Sequence, residues 1–125
     1  MLIAKVVSVI IGVILLSCLS SINAEPKGTY ESENFKITNM SAIYQGKFFG
    51  DTYGIVGMIE NIRNETFVDI QLVVTLYDKY NNLIDVDRTL PILDIRTPGT
   101  HSPFKFLVST NGTIFDHYLV QIAGR

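Results

Sequence analysis

The stretch VTLYDKYNNLIDVD, Val74 to Asp87, decides how the chain is read. It sets a tyrosine, carboxylates and amides beside aliphatic residues, as either a reactive site or a hairpin would. The alternation favours the hairpin. Val68, Ile70, Leu72, Val74 and Leu76 share one face of an extended run, while Asp69, Gln71, Thr75 and Tyr77 share the other. Beyond the polar centre, Ile84, Val86 and Leu90 are apolar against Asp85, Asp87 and Thr89. A two-residue loop of Asn81 and Asn82 would oppose Leu76 to Asp87 and Asp78 to Asp85, setting apolar against polar and like charge against like. A three-residue loop, Tyr80-Asn81-Asn82, opposes Leu76 to Val86, Tyr77 to Asp85 and Thr75 to Asp87, and every face agrees. Such loops close through a left-handed residue that asparagine tolerates, so positive φ is expected at Asn82.

Outward from this hairpin the chain is a series of short β-rich runs. Phe35–Tyr44, Tyr53–Ile62, Phe67–Tyr77 and Leu83–Leu90 read as strands, and Ser102–Thr110 with Ile114–Ile122 as a final pair around Asn111-Gly112-Thr113. Pro91 ends the fourth. Turn signals at this spacing, with no helical period after residue 24, predict an all-β sandwich of about 6–8 strands over residues 35–125. Glu25–Asn34, polar and bearing Pro26 and Gly28, reads as a tether.

Residues 1–24 have a different character. Lys5 gives a short charged head, Val6 to Leu19 is uncharged and nearly all apolar, and Ala24 precedes an acidic, proline-bearing stretch. These are the parts of a secretory signal peptide or anchor helix, with cleavage expected after Ala24. The apolar run is shorter than the roughly 20 residues of a spanning helix. Two other readings stand beside it. Leu15-Leu16-Ser17-Cys18 is similar to a lipobox, which would lipidate Cys18, and the segment can also be kept as a short anchor.

Cleavage removes the only cysteine, and with it disulfides, thiol catalysis and thiolate metal sites. It also takes the basic count from 10 to 9 against 12 acidic residues, a net charge of −3. Mild acidity without basic clusters disfavours nucleic acid and anionic membrane as partners, leaving the membrane only through an uncleaved or lipidated N-terminus.

The residues at the centre of the hairpin belong to a larger pattern. Gly57-Met58-Ile59-Glu60-Asn61, Val74-Thr75-Leu76-Tyr77-Asp78, Pro98-Gly99 and Ser102-Pro103-Phe104 together resemble the FxLYD domain, over roughly Ile55 to Val108. Val74 stands where that family's leading phenylalanine would be, while Leu76, Tyr77 and Asp78 follow the pattern. The resemblance implies an Ig-like antiparallel β-sandwich on an exported protein, and implies no activity or cofactor. The physical expectations are structural. Gly57 in a strand marks close approach by a backbone or ring. Asn61 and Asp78, at strand ends, can bond nearby backbone groups. Tyr77 should bury its ring and bond through its hydroxyl.

Reactive groups are sparse. His101 lies in a Pro98–Pro103 loop beside Ser102, with Asp94 upstream, but no nucleophile-elbow glycines surround Ser102. His117 falls in a strand. Asp85 and Asp87 are about 7 Å apart on one side of a strand, without the loop that calcium needs, and read as a solvated face. Three N-x-[ST] sequons occur, at Asn39, Asn64 and Asn111, where chance would give roughly one. Asn64 and Asn111 fall in turns and are the glycosylation candidates. The sequence therefore points to a secreted or surface-tethered, non-catalytic module with a protein partner at the cell envelope. The contact surface is expected at exposed sheet edges and in the Gly46–Gly54 loop, with Phe48, Phe49 and Tyr53. A solute- or metal-binding domain is the alternative, and a small hydrolase built on His101 a more remote one.

Overall fold

The computed structural model describes residues 25–47 and 50–125, so residues 1–24, Phe48 and Phe49 lie outside the described residues. The signal, anchor and lipobox readings fall on the first of these, and two phenylalanines of the expected contact loop on the second.

Seven strands form two facing sheets, with no helix among the described residues. They are β1 (Lys27–Glu31), β2 (Phe35–Lys47), β3 (Asp51–Asn61), β4 (Ile70–Tyr77), β5 (Leu83–Thr89), β6 (His101–Ser109) and β7 (His117–Gly124). One sheet has the order β1-β7-β4-β5 and the other β2-β3-β6. All pairs are antiparallel except β1 with β7, which run parallel.

The core follows from strand alternation. Ile55 and Ile59 of β3, Leu72, Val74 and Leu76 of β4, Phe104, Phe106 and Val108 of β6, and Tyr118 and Val120 of β7 all face inward and are buried. They interdigitate as side chains from two inner faces must. Aromatic rings fill the ends. Phe35 tilts against Phe67 at 5.0 Å, and Tyr53, Phe115 and Tyr118 follow one another at 5.2 and 5.8 Å between centroids.

The hairpin forms, one residue out of the expected register. Asp78 donates its amide to Asn82 O and Asn81 donates to Asp78 O, so the three-residue loop is Lys79-Tyr80-Asn81. The left-handed residue is Asn81, at φ 64°, and not Asn82. The cause is Asp78, whose carboxylate accepts the amides of Tyr80 and Asn82 at 2.9 Å each and so fixes where the loop begins. A register shift between Leu76 and Tyr77 then pairs Leu76 with Asp85, Thr75 with Val86 and Val74 with Asp87. Asp85 and Asp87 thus sit on the inner side of edge strand β5, half-buried, while Val86 is exposed. They are not the solvated outer face expected. The opposite sheet has three strands against four, and the inner side of β5 carries no buried aliphatic residue. Inward carboxylates on an edge strand also discourage pairing with other chains.

Three further expectations are corrected. Five residues of the polar tether form β1, because Lys27–Glu31 finds the free edge of β7. Val68 lies outside β4 and is exposed. The last two strands are not a hairpin, since β6 pairs with β3 and β7 with β4, with the Asn111 turn crossing from sheet to sheet.

The left-handed loop residue gives a first test. Asn81→Gly should leave stability unchanged or raise it slightly, whereas Asn81→Val should cost about 1–2 kcal/mol. Neither substitution at Asn82 should follow that order in thermal denaturation.

Candidate functional site

The motif residues divide between two ends of the sandwich. Asn61 closes β3 and is fully buried. Its Nδ2 donates to the carbonyls of Ile95 and Arg96, both at 3.2 Å, and to that of Glu65 at 3.4 Å, while Oδ1 accepts the Arg63 amide at 3.1 Å. Its backbone is equally engaged, with N donating to Thr100 O and O accepting from Gly99 N. One side chain thereby binds the β3–β4 and β5–β6 connections to the end of a central strand. Gly57 lies two turns of the pleat earlier, and the Phe104 ring comes within 2.7 Å of where a Cβ would stand. Any side chain there would displace a core ring.

Leu76, Tyr77 and Asp78 occupy the other end. Leu76 is buried, and Tyr77 stacks on His117 with centroids 5.1 Å apart. The Tyr77 hydroxyl makes no hydrogen bond among the described residues, so its ring and not its polar tip does the fixing. His117 Nδ1 lies 2.8 Å from Asp116 Oδ2. The Asp78 carboxyl is held below its ordinary range chiefly by the Asn82 amide, with the Asn82 side chain, the Tyr80 amide and His117 adding to it against desolvation.

The His101 constellation does not assemble. Ser102 is buried, donating from Oγ to Pro103 O and accepting the Leu93 amide, both at 2.7 Å. His101 is exposed, and its position one residue earlier on β6 sets it on the opposite face. Asp94 is taken up by Arg96 in a bidentate pair at 3.0 and 2.8 Å, which holds its carboxyl at about 2. Among the described residues no group of three or more His, Cys, Asp or Glu is placed to hold a metal.

Two surface features stand out. A cleft of about 450 Å³ opens at the end of the sandwich where the chain enters, bordered by Lys27, Asp51, Tyr53, Thr110 and Phe115. It offers carboxylate, hydroxyl and aromatic groups to a small polar solute, and Thr110 Oγ1 in its wall has no partner among the described residues. The second feature was not foreseen. Val68, Leu90, Ile92 and Leu93 are 57–77% exposed and surround a groove of about 250 Å³, rimmed by Asp69 and the Asp94–Arg96 pair. The Leu90-Pro91-Ile92-Leu93 run was available as a signal, being aliphatic, broken by proline and lacking alternation. Asn64 and Asn111 lie exposed in turns, and Asn39, at φ 55°, sits in a bulge of β2.

Comparison with family models, curated proteins and solved structures finds no match to the chain.

Two tests follow from the geometry. Asn61→Ala leaves buried carbonyls without donors and should cost about 2–4 kcal/mol in urea denaturation. It should also speed amide exchange in residues 91–100. Asp78 and Asp94 both titrate below their ordinary 3.8 in the folded state, so their contribution is complete above that value. It is lost as pH falls through the folded pKa. Lowering pH from about 5 to about 2 should therefore destabilise the protein, and Asp78→Asn with Asp94→Asn should lessen that loss.

Proposed function

We propose that residues 25–125 form an Ig-like domain of the FxLYD kind, exported through residues 1–24 with cleavage after Ala24, that acts by non-catalytic contact with a protein at the cell envelope. The order β2-β3-β6 against β5-β4-β7 matches the A-B-E and C′-C-F strands of Ig-like sandwiches, with β1 in the place beside F that a final strand G would take. The composition of the N-terminal segment supports export, and the two turn sequons suit glycans at Asn64 and Asn111.

The observation that carries the contact reading is the exposed aliphatic group Val68, Leu90, Ile92 and Leu93. Scattered apolar side chains are ordinary on a surface, but several gathered about one groove mark an interaction site. Arg96 is neutralised by Asp94, which leaves Asp69 to set the sign of the rim. The partner that fits is an aliphatic protein surface with a basic residue at its border. Core burial and O-ring exclusion of water would then supply the affinity.

The test is made in an exporting host, on envelope protein whose N-terminus is read by mass. A photo-crosslinking residue at Ile92 should capture one partner from protein beginning at Glu25, and Leu93→Glu should abolish capture. The same crosslinker at Lys36 of β2, on the edge of the three-stranded sheet away from β6, should capture nothing. Equal capture from both faces overturns the contact reading, and retention of Met1–Ala24 overturns the cleavage.

A further inference from the structure

An open β-sandwich presents four edges, and three of these are obstructed. On β5 the Asp85 and Asp87 carboxylates accept the amides of Val86 and Arg88 at 2.9 and 2.8 Å, so those donors are already engaged. β2 is broken by register shifts between Thr38 and Ser41 and between Tyr44 and Gly46. β6 begins under the 92–93 segment, where Ile92 donates to Pro103 O and Leu93 to Ser102 Oγ, and it carries Lys105 further on. Along Lys27–Glu31, β1 has neither a register shift nor a covering segment, its one lysine is matched by Glu31 of the same strand, and Pro26 lies before that stretch.

The direction of its free groups is fixed by its partner. Lys27 N donates to Asp116 O on the β7 side, so by alternation Thr29 and Glu31 also bond towards β7. The amides and carbonyls of Gly28 and Tyr30 point away, to the open edge.

We propose that this edge pairs with β1 of a second copy of the chain, antiparallel and centred on Thr29. In that register Gly28 lies opposite Tyr30 of the other copy, and each such pair exchanges both of its N–H···O bonds, twice over by symmetry. The outward groups of the strand are thereby used on their own kind. Thr29 meets its symmetry mate in the close, non-hydrogen-bonded position, where threonine pairs are favourable. Lys27 faces Glu31 on both sides of the two-fold axis, joining opposite charges. The Tyr30 ring, 38% exposed, lies over the glycine opposite and beside the Tyr118 ring that Gly28 admits. The sequence KGTYE is thus complementary to itself in charge, size and hydrogen bonding in one register. The interface is isologous, joins two four-stranded sheets into one, and leaves the aliphatic groove free.

Charge reversal tests the register with little disturbance to the fold, because Lys27 and Glu31 are exposed on the outer face of β1 and Glu31→Lys gives up only an exposed bond from Gln121 Nε2 at 3.3 Å. The protein purified from its host should sediment as a dimer. Lys27→Glu places four glutamates at the two-fold, and Glu31→Lys four lysines, so each variant alone should weaken dimerisation roughly tenfold or more. An equimolar mixture of the two should form the heterodimer, and Lys27→Glu/Glu31→Lys in one chain should restore the homodimer. Wild-type protein that stays monomeric up to about 100 μM, or a dimer indifferent to these changes, overturns the proposal. So does a mixture no tighter than its components. Failure of the Ile92 crosslink leaves it standing, since the two surfaces are separate.

Discussion

The sandwich depends on a single carboxamide. Four of the six connections between its strands leave one sheet for the other, and two of those connections meet at Asn61. Without hydrogen bonds there, residues 62–69 and 90–100 would carry buried carbonyls with no donor, which folded proteins avoid. The amide answers both at once, giving its protons to Ile95 and Arg96 on one connection and to Glu65 on the other, and taking the Arg63 amide in return. Asparagine is suited to the position because it offers two donors and an acceptor without charge. Aspartate would bring a buried charge facing three carbonyl oxygens.

Asp78 does comparable work at the other end with the opposite chemistry. It is a partly accessible carboxylate that accepts, where Asn61 is a buried amide that mainly donates. It sets the start of the loop, and the β4–β5 register follows from that start through one irregularity. Edge strand β5 ends with its acidic residues turned inward as a result. A local hydrogen bond therefore decides which face of a neighbouring strand meets the core.

The parts legible in the sequence were those that side-chain alternation reports. Leu72, Val74 and Leu76 alternate cleanly and face the core, and the loop between β4 and β5 has the expected length of three residues but not the expected residues or pairing of faces. Alternation is silent on the rest. It cannot place Asn81 rather than Asn82 at positive φ, because the register shift between Leu76 and Tyr77 sets Leu76 against Asp85, a pairing that matching of faces rejects. It does not assign β6 and β7 to different sheets, since each shows the same inward pattern in either. It misses β1 altogether, whose five exposed side chains carry no period and whose attachment is made by backbone and by Gly28 under Tyr118. Of the candidate site, Gly57, Asn61 and Asp78 were readable because their types are restricted by geometry. Of the aliphatic group at Leu90–Leu93, only Leu90 was read, as the end of a strand stopped by Pro91, because exposure is a property of neighbours and not of the run itself.

The parallel pairing of β1 with β7 has a mechanical side. Lys27 lies beside His117 and Glu31 beside Gln121, so the chain enters at one end of this ladder and leaves β7 at the other. Tension between an attachment before Lys27 and a load beyond Gly124 runs along both strands in opposite senses. The hydrogen bonds between them are then strained together, as a lap joint is, and cannot be opened in succession like a zipper. An antiparallel strand in the same place would peel. A domain held by its N-terminal end is, in this topology, held by its strongest direction of pull.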